Sequence, residues 1–427
     1  MKRNVCFLLA VWLCLAGCNP AAPAGQFSQA PSDTHEPTPT PTQTVTPPPP
    51  TPSPAPTPSP TPVPTPEPVR AKIQFAGDIL LHASPIREAK TGDATYDFRP
   101  FFAAIDPYID GDLALCNMET PVDVFGGNKD ISTWPRFNAP YEILEALDFA
   151  GFNHLINTNN HTFDKGMSGL EATLKSFERA GFSSDGARAS KETYDIPTVL
   201  DVNGIKIGIV AYTDSVNGHE GLVPDEQRAY AVRRFRSSST SDLPRMSEDI
   251  AVLREAGAQI VIVSLHWGAE YVDEPKKAQR EIAHGLCEAG ADIVLGGHSH
   301  CVQPIEWYER AEDASRCLIM YSLGNFFADQ TALEEPINKT QFGMLVSLTL
   351  LEAPDGDIIL EDCAALPTLC CKDASGTLGV SHSILPLNGG SVAVPATVTD
   401  EGNRQWGRVA YEHVYGIVGS EFIRNPA

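Results

Sequence analysis

The sequence is poor in basic residues. Its 427 residues contain 31 lysines and arginines against 54 aspartates and glutamates, which gives a formal net charge of −23. Because so acidic a chain repels polyanions, the composition excludes nucleic acid and anionic lipid as main partners. The same charge would repel a polyanionic substrate unless metal ions or a local group of cations offset it.

Paired cysteine spacing is also absent. None of the ten cysteines stands in CxxC spacing, and seven remain once Cys6, Cys14 and Cys18 near the N-terminus are set aside. An odd number of scattered cysteines is not a disulfide framework. We therefore expect at least one free thiol unless a cysteine pairs with another chain, and we assign no role to Cys370 and Cys371.

The N-terminal segment 1–18 has the pattern of a secretory signal: two basic residues, an apolar run from Val5 to about Gly17, and then Cys18. The run is too short to span a bilayer as a stable helix. LAGC (15–18) resembles a bacterial lipobox, which implies lipid attachment to Cys18 and an extracytoplasmic protein anchored to the outer face of the bacterial cell membrane. An ordinary secretory signal with an incidental cysteine is the alternative.

Composition divides the rest of the chain into three parts. Residues 19–69 are a Pro/Thr/Ser low-complexity segment that cannot bury a core, so we expect a disordered, extended linker. Residues 70–330 have the composition of a folded domain. Residues 331–427 begin with hairpin-like alternation, and we interpret them as a β-rich C-terminal extension of the same domain.

Short apolar segments alternate with helical patterns through the predicted domain. The predicted strands are KIQFAG (72–77), LALCN (113–117), HLINTNNH (154–161), IKIGIVAY (205–212), QIVIVSLHWG (259–268), ADIVLGGHSH (291–300) and CLIMYSLGNF (317–326). Near-continuous apolar strands that alternate with helices predict an α/β fold in which helices cover the sheets.

Polar side chains that suit a metal ion follow several of these strands. The residues at such positions are Asp78, Glu119, Asn160, His161, His266, His298 and His300. In open α/β sheets, ligands bind beyond the carboxyl ends of the strands, so we expect these side chains to form one site. Mixed imidazole and oxygen ligands favour a divalent transition metal over Ca²⁺ or Mg²⁺.

Each candidate also has an alternative structural role. Asp78 could be a helix N-cap, Asn160 a turn residue and His266 a packed core histidine. Residues two apart in an extended segment project to the same side, so His298 and His300 could face one ion. Alone, that pair could equally be surface or packed histidines. The coincidence at four strand ends favours the metal site.

Six blocks carry a resemblance to a known family. FAGDILLH, CNMETPV, NTNNHTFDKG, VSLHWGAEY, GGHSHCVQPIE and YSLGNFF resemble the CapA family of poly-γ-glutamate capsule proteins, which is similar to the calcineurin-like metallophosphoesterases. The resemblance covers about residues 71–330. It implies a metallophosphoesterase-like two-sheet sandwich flanked by helices, and a role in poly-γ-glutamate synthesis, export or anchoring at the cell surface.

The resemblance also implies residue roles. The implied ligands of one or two ions of Mn, Fe or Zn are Asp78, Asn160, His266, His298 and His300. His161 would be the general acid that protonates the leaving oxygen. The chain departs from the metallophosphoesterase pattern twice. Leu80 stands where that pattern has a histidine, with His82 two residues further on, and Glu119 stands in place of a bridging aspartate.

Four more residues are candidates for substrate binding or support of the site: Asp164, Glu270, Lys129 and Arg136. Asp164 and Glu270 could orient the histidines that precede them, and Glu270 could instead contact substrate. Lys129 and Arg136, in a long loop after Glu119, could bind a carboxylate or phosphate, with a solvated loop as the alternative. Cys301 would point away from His300 in an extended chain and is left out.

Two functions follow. The first is a metal-dependent, phosphoesterase-like hydrolase that acts on a phosphoryl or related electrophilic centre, with His161 as acid. The second is non-catalytic: the domain would bind poly-γ-glutamate or another anionic polymer, or serve as a scaffold subunit beside the membrane subunits of a capsule-synthesis complex. The partners in either case are the polymer, those subunits and, through the lipid anchor, the membrane.

Overall fold

A computed structural model describes residues 68–330, 338–372, 379–387 and 401–423. The predicted signal, the lipobox and all but the end of the predicted linker lie outside these ranges. Within the described part of the chain, no helix has the length and apolar character needed to cross a membrane.

The described residues form sixteen strands and nine α-helices. The strands are β1 (Arg70–Leu80), β2 (Lys90–Gly92), β3 (Thr95–Tyr96), β4 (Leu113–Met118), β5 (His154–Ile156), β6 (Ser183–Asp185), β7 (Thr198–Val202), β8 (Ile205–Thr213), β9 (Ile260–His266), β10 (Ile293–Gly297), β11 (Ile305–Glu309), β12 (Arg316–Met320), β13 (Asn325–Ala328), β14 (Phe342–Glu352), β15 (Ile358–Lys372) and β16 (His382–Pro386). The helices are α1 (Ala83–Ala89), α2 (Arg99–Phe102), α3 (Glu142–Phe149), α4 (Gly166–Ala180), α5 (Lys191–Tyr194), α6 (Asp225–Ala231), α7 (Leu243–Glu255), α8 (Lys277–Glu288) and α9 (Glu401–Val418).

Two large sheets dominate the fold. The first has the strand order β16-β15-β14-β1-β4-β5-β6, and β13 also pairs with β1. The second has the order β11-β12-β10-β9-β8-β7. In the first sheet β1, β4, β5 and β6 are parallel, and in the second β8, β9, β10 and β12 are parallel. The carboxyl ends of the parallel strands within each sheet therefore lie at one edge of that sheet.

Alternating side chains of these strands supply two different cores. Ile207 and Ile209 of β8 pack in the core between the two sheets, whereas Val210 and Tyr212 pack on the outer face with α7 and α8. The outer face of the first sheet is covered by α2 and α3. Because successive strand residues point to opposite faces, a strand buried on both faces must be apolar throughout. The predicted α/β two-sheet sandwich flanked by helices is confirmed.

α3, α4 and α8 lie where helical patterns separate the predicted strands, as the alternation in the sequence predicted. Gly181 ends α4 with a φ of 86°, a left-handed conformation that favours glycine at a helix end. Several predicted strands are shorter in the structure. β5 ends at Ile156, β9 at His266 and β10 at Gly297, and the last predicted strand is divided into β12 and β13.

The predicted β-rich C-terminal segment is present, but it is not peripheral. β14 pairs along β1 in antiparallel register, so it lies inside the first sheet, and β15 and β16 extend that sheet. The sequence patterns did not predict α9. Its buried residues Gly407, Ala410, Val414 and Val418 follow the three- and four-residue spacing of an amphipathic helix, which was the available signal.

One disulfide joins α8 to β12, between Cys287 and Cys317. Cys116, Cys301 and Cys370 are buried free thiols, as the odd number of cysteines required. The pairing itself was not predicted, because nothing in scattered cysteine positions indicates which two approach each other in the fold.

Candidate metal centre

The predicted site residues lie at the carboxyl ends of the central strands. Asp78 is near the end of β1, Glu119 follows β4, and His266 is the last residue of β9. Asn160 and His161 lie in the turn after β5, and His298 and His300 follow β10. These residues meet although they are distant in sequence, because each lies at or beyond the carboxyl end of its strand.

Glu119, His266 and His298 form a first group of possible metal ligands. Each offers one ligand atom, and these atoms lie within 4.8 Å of one another. Nε2 of His266 is 3.3 Å from a Glu119 carboxylate oxygen and 3.0 Å from Nδ1 of His298. The side-chain oxygen of Asn160 is also 3.0 Å from this Nε2. Four of the predicted ligands thus converge on one small volume.

Asp78, Glu119 and His300 form a second group within the same distance limit. Nδ1 of His300 lies 3.4 Å from Asp78, and its Nε2 lies 4.0 Å from Glu119. Glu119 belongs to both groups. A carboxylate shared by two groups has the placement that a bridging ligand between two ions requires.

The surroundings of the Glu119 carboxylate indicate whether a cation fits the site. Its side chain is fully buried, and neither carboxylate oxygen has a hydrogen-bond partner among the described residues. A buried carboxyl group without hydrogen bonds is unfavourable in its charged form unless a cation compensates it. The residues present therefore fit a divalent ion, and the donor set of imidazoles, carboxylates and an amide oxygen suits a transition metal.

The buried groups of the site differ in their pKa values. Burial, together with the negative charge of Asp78, raises the pKa of Glu119 to about 8. Burial alone would lower the pKa of His300, but the charge of Glu119 and the hydrogen bond with Asp78 raise it to about 9. Burial lowers the pKa of His266 and of His298 to about 3, so both rings are neutral at pH 7, the form that binds a metal.

The HSH segment does not have the extended backbone assumed from the sequence. His298 and His300 have φ angles of 87° and 56°, in the left-handed region that non-glycine residues rarely adopt. The two rings consequently enter different groups instead of facing one ion side by side. Backbone strain of this kind is concentrated at functional sites, where the surrounding structure holds it in place.

His161 is held by Asp164. Nδ1 of His161 lies 2.8 Å from one oxygen of the buried Asp164 carboxylate, and the backbone N–H of Phe137 donates to the same oxygen at 2.7 Å. The Phe137 ring meets the His161 ring edge to face at 4.7 Å. These contacts fix the imidazole and leave Nε2 as its chemically available nitrogen.

Three asparagines that were not among the predicted site residues form hydrogen bonds in and around this cluster. The Asn117 amide donates to Asp78 at 2.8 Å, and the Asn159 amide donates to the side-chain oxygen of Asn117 at 3.1 Å. The Asn325 side-chain oxygen lies 2.9 Å from Nδ1 of His300. All three stand inside the quoted blocks, so their position beside ligand residues was the available signal.

The remaining candidates lie outside the two ligand groups. Arg136 is exposed, and its Nε donates to the backbone carbonyl of Asp164 at 2.6 Å. Lys129 is exposed, and its backbone carbonyl accepts from Asn138. Glu270 is exposed. Its negative charge acts to raise the pKa values of His266, His298 and His300.

His82 belongs to neither ligand group. Its Nδ1 lies 3.2 Å from the carbonyl of Leu80 and accepts from the backbone N–H of Asp329 at 3.3 Å, while burial lowers its pKa to about 4. The histidine two residues beyond Leu80 therefore does not substitute for the missing one. Trp267, next to His266, is buried in the core and donates to the backbone carbonyl of Tyr321.

Comparisons with known proteins agree with this description. The model of the family described as "Bacterial capsule synthesis protein PGA_cap" matches residues 72–330. The chain is 32% identical over 266 residues to the "PGA biosynthesis protein CapA" of Bacillus subtilis, which covers 60% of this chain and 63% of that protein. It is 28% identical over 233 residues to the "Capsule biosynthesis protein CapA" of Bacillus anthracis, covering 54% of each.

A third relative is the "Probable polyglutamine synthesis accessory protein Rv0574c" of Mycobacterium tuberculosis. It is 27% identical over 255 residues, which cover 58% of this chain and 64% of that protein. The chain thus spans between about half and two thirds of the length of the curated relatives it matches.

Proposed function

The chain belongs to the family of bacterial capsule synthesis proteins PGA_cap, and from this premise we propose that it is a metal-dependent, phosphoesterase-like hydrolase that acts in poly-γ-glutamate synthesis, export or anchoring. The capsule role is supported by the family description and by the names of the relatives. The hydrolase is supported by the residues of the site.

The observation that carries the proposal is the buried carboxyl group of Glu119, which belongs to both groups of ligands and whose oxygens accept no hydrogen bond from the described residues. The residues that would hold one or two ions of Mn, Fe or Zn are Asp78, Glu119, Asn160, His266, His298 and His300. When bound, such an ion polarises a phosphoryl or related oxygen and stabilises the negative charge that develops on it.

His161 is the proposed general acid. Asp164 accepts from Nδ1 and favours the tautomer with the proton there, while its negative charge stabilises the ring when Nε2 is also protonated. The proton at Nε2 is then the one donated to the leaving oxygen. Proton transfer by a positioned side chain contributes about 10²- to 10⁴-fold to a rate.

Cations beside His161 support an anionic substrate. The Arg136 guanidinium is attached to the turn that carries His161 and Asp164. Lys165, the next residue, has a pKa lowered by partial burial and by the positive charge of Arg136. Two neighbouring cations repel each other, and an anionic group of the substrate would relieve that repulsion. They also offset locally the net negative charge that repels such a substrate.

We also propose an extracytoplasmic location with a lipid anchor at Cys18. The lipobox-like LAGC segment supports the anchor. The disulfide between Cys287 and Cys317 supports the location, because disulfides persist in oxidising compartments outside the cytoplasm.

A non-catalytic role is the second candidate. One relative is named an accessory protein of polymer synthesis, which favours a subunit that binds an anionic polymer or other capsule-synthesis subunits. In that role the same site would hold carboxylates of the polymer through the metal ion, and His161 would have no catalytic task.

Metal analysis combined with hydrolysis of bis(p-nitrophenyl) phosphate separates the candidates. The hydrolase predicts that the wild-type protein contains a divalent metal and has turnover, and that a His298→Ala/His300→Ala variant has neither. A metal-free, inactive wild-type protein that behaves like this variant would contradict it. Metal-dependent binding of polyglutamate without turnover would support the non-catalytic role.

A further inference from the structure

The loop formed by residues 214–222, DSVNGHEGL, follows β8 and contacts the turn that carries Asn160, His161 and Asp164, here called the catalytic turn. Nothing in the pattern of this loop predicted a role in the site. We infer that His219 in this loop is a positioning residue for His161, acting through Asp164. The inference rests on the proposed role of His161 as general acid.

The Asp164 carboxylate lies between two histidines. One oxygen, Oδ2, is 2.8 Å from Nδ1 of His161, and the other, Oδ1, is 3.2 Å from Nδ1 of His219. Among the described residues, neither Asp164 Oδ1 nor His219 Nδ1 has an aligned hydrogen-bond partner, so this electrostatic contact is the one that each atom has. His219 is 20% exposed, whereas Asp164 is fully buried.

This contact restricts the rotation of the carboxylate. Oδ2 takes part in two hydrogen bonds, with the N–H of Phe137 and with Nδ1 of His161, and Nδ1 of His219 lies 3.2 Å from Oδ1. A turn of the carboxylate about its Cβ–Cγ bond would break these contacts, so the acceptor for Nδ1 of His161 stays in place and keeps the proton of the neutral ring on Nδ1. Removing the group that orients a metal-ligating histidine typically costs about 10- to 100-fold, and we expect the lower end for His219, which acts through Asp164.

The same loop also reaches the ligand next to His161. The Asn160 amide donates to the side-chain oxygen of Asn217 at 3.4 Å, which directs the Asn160 oxygen toward His266. Asn217 and Gly218 have φ angles of 52° and 71°, and this left-handed turn brings both Asn217 and His219 to the catalytic turn.

The loop is fixed to the rest of the site. The backbone N–H of Asp214 donates to the carbonyl of His266 at 3.0 Å, and Arg234 binds both the Asp214 carbonyl and the Glu220 carboxylate. The position of His219 is therefore set by the same strand ends that position the ligands. A residue that positions another must itself be held in place, and His219 meets this condition.

Kinetics of three variants of the full chain test the inference. His219→Ala removes the imidazole, His219→Asn keeps a polar N–H group near the position of Nδ1, and Glu226→Gln alters an exposed residue of α6 outside the loop. For His219→Ala we expect kcat to fall about 10-fold with KM and metal content unchanged. His219→Asn should recover most of the loss, and Glu226→Gln should resemble the wild type.

Two further readouts distinguish positioning from a structural role. The loss in His219→Ala should be larger for a phenyl ester than for the p-nitrophenyl ester, because the poorer leaving group depends more on protonation. In ¹⁵N NMR of the neutral imidazole, His161 of the wild type should carry its proton on Nδ1, and His219→Ala should show a mixture of tautomers.

An active wild type with an unchanged His219→Ala variant and an unchanged tautomer would overturn the inference. So would an equal loss for both esters, or a His219→Asn variant as slow as His219→Ala. An inactive, metal-loaded wild type would instead overturn the proposed hydrolase, and the inference with it.

Discussion

Two clusters of histidines and carboxylates in the described part of the chain, each with a buried histidine, differ in one respect. The metal-site cluster consists of Asp78, Glu119, His266, His298 and His300. The C-terminal ion-pair cluster consists of Glu88, Asp329, Lys372 and His382. Both use the same kinds of side chain and both include a nearly fully buried histidine. Residue type alone therefore does not separate a metal site from a structural ion-pair network.

In the C-terminal ion-pair cluster both carboxylates accept hydrogen bonds. Nδ1 of His382 is 2.5 Å from Glu88, its Nε2 is 3.7 Å from Asp329, and Lys372 lies 3.1 Å from Asp329. Ser381 also donates to Glu88. The cluster joins β16 and β15 to α1 and to the end of β13, so its function is explained by the fold it stabilises.

The metal-site cluster is arranged in the opposite way. It holds two carboxylates and three histidines, of which two are neutral at pH 7, and it leaves both oxygens of Glu119 without hydrogen-bond partners in the described ranges. A buried carboxyl group whose oxygens accept no hydrogen bond leaves the cluster incomplete as a hydrogen-bonded ion-pair network. The comparison teaches that unpartnered acceptors, more than the number of histidines, indicate a cation site.

Removing two ligands should have the largest effect. His298→Ala/His300→Ala should abolish metal binding and lower turnover by about 1,000-fold or more, because metal stabilisation of developing charge is worth several kcal/mol. Elemental analysis and phosphodiester hydrolysis measure both. His382→Gln is the matched control, since it removes a buried histidine from the other cluster and should keep metal and turnover. An equal loss of metal and turnover in both variants would contradict the assignment of only one of the two clusters to the metal.

Removing the proposed acid should have a smaller effect that leaves the metal in place. His161→Asn should lower kcat about 100-fold, at the lower end of the range for general acid catalysis. Metal content measured on the same sample should match the wild type. If metal is lost together with turnover, His161 is a ligand and not the acid.

Stability should depend on pH and metal together. In the metal-free protein the folded-state pKa values of Glu119 and His300, about 8 and 9, lie above their ordinary values. Groups with raised values stabilise the folded chain at lower pH, and this contribution is lost as pH rises through those values. His266 and His298, whose values are lowered, are neutral in both folded and unfolded chains above pH 7.

The chelated protein should therefore lose stability between about pH 7 and 9, whereas a metal ion neutralises the carboxylates and binds more tightly as pH rises. Thermal melting with and without EDTA should show a gap in Tm that widens over this range. A gap that is constant with pH would contradict the assignment of Glu119 and His300 to the metal site.

The smallest effect is expected in the C-terminal ion-pair cluster. Burial lowers the pKa of His382, but Asp329 and Glu88 raise it above its ordinary value overall. Hydrogen bonding with His382 lowers that of Asp329 to about 2. The histidine stabilises the fold below about pH 6.5 and the carboxylate above about pH 4, so the cluster is most stabilising between these values.

His382→Gln should consequently cost about 1–3 kcal/mol near pH 5.5, the cost of leaving a buried partner unsatisfied, and less at pH 9. Denaturant unfolding at the two pH values measures the difference. His284→Gln, which breaks a partly exposed pair with Glu306, is the control and should change stability little at either pH. A pH-independent loss in His382→Gln would show that packing, not charge, is what His382 provides.

Much of the fold was predictable from the sequence because the strands are buried on both faces. Near-continuous apolar segments such as β8 and β9 are required by the two cores, and a polar residue at the end of such a segment departs from the pattern that packing imposes. The seven residues predicted at strand ends therefore needed only the rule that parallel carboxyl ends meet.

The rest depended on tertiary contacts. Which oxygen of Asp164 faces which histidine, and that His219 reaches it at all, follow from a left-handed turn at Asn217 that has no periodic signal. The prediction of an extended segment at His298 was likewise wrong, because the backbone there is left-handed. The disulfide pairing depended on how α8 packs on β12, which cysteine spacing does not encode.

The metal content of the purified chain tests the central claim most directly. Elemental analysis should find one or two divalent transition-metal ions per chain in the wild type and in His382→Gln, and essentially none in His298→Ala/His300→Ala. A wild-type protein that is purified without metal and takes up none of Mn, Fe or Zn on loading would contradict the account.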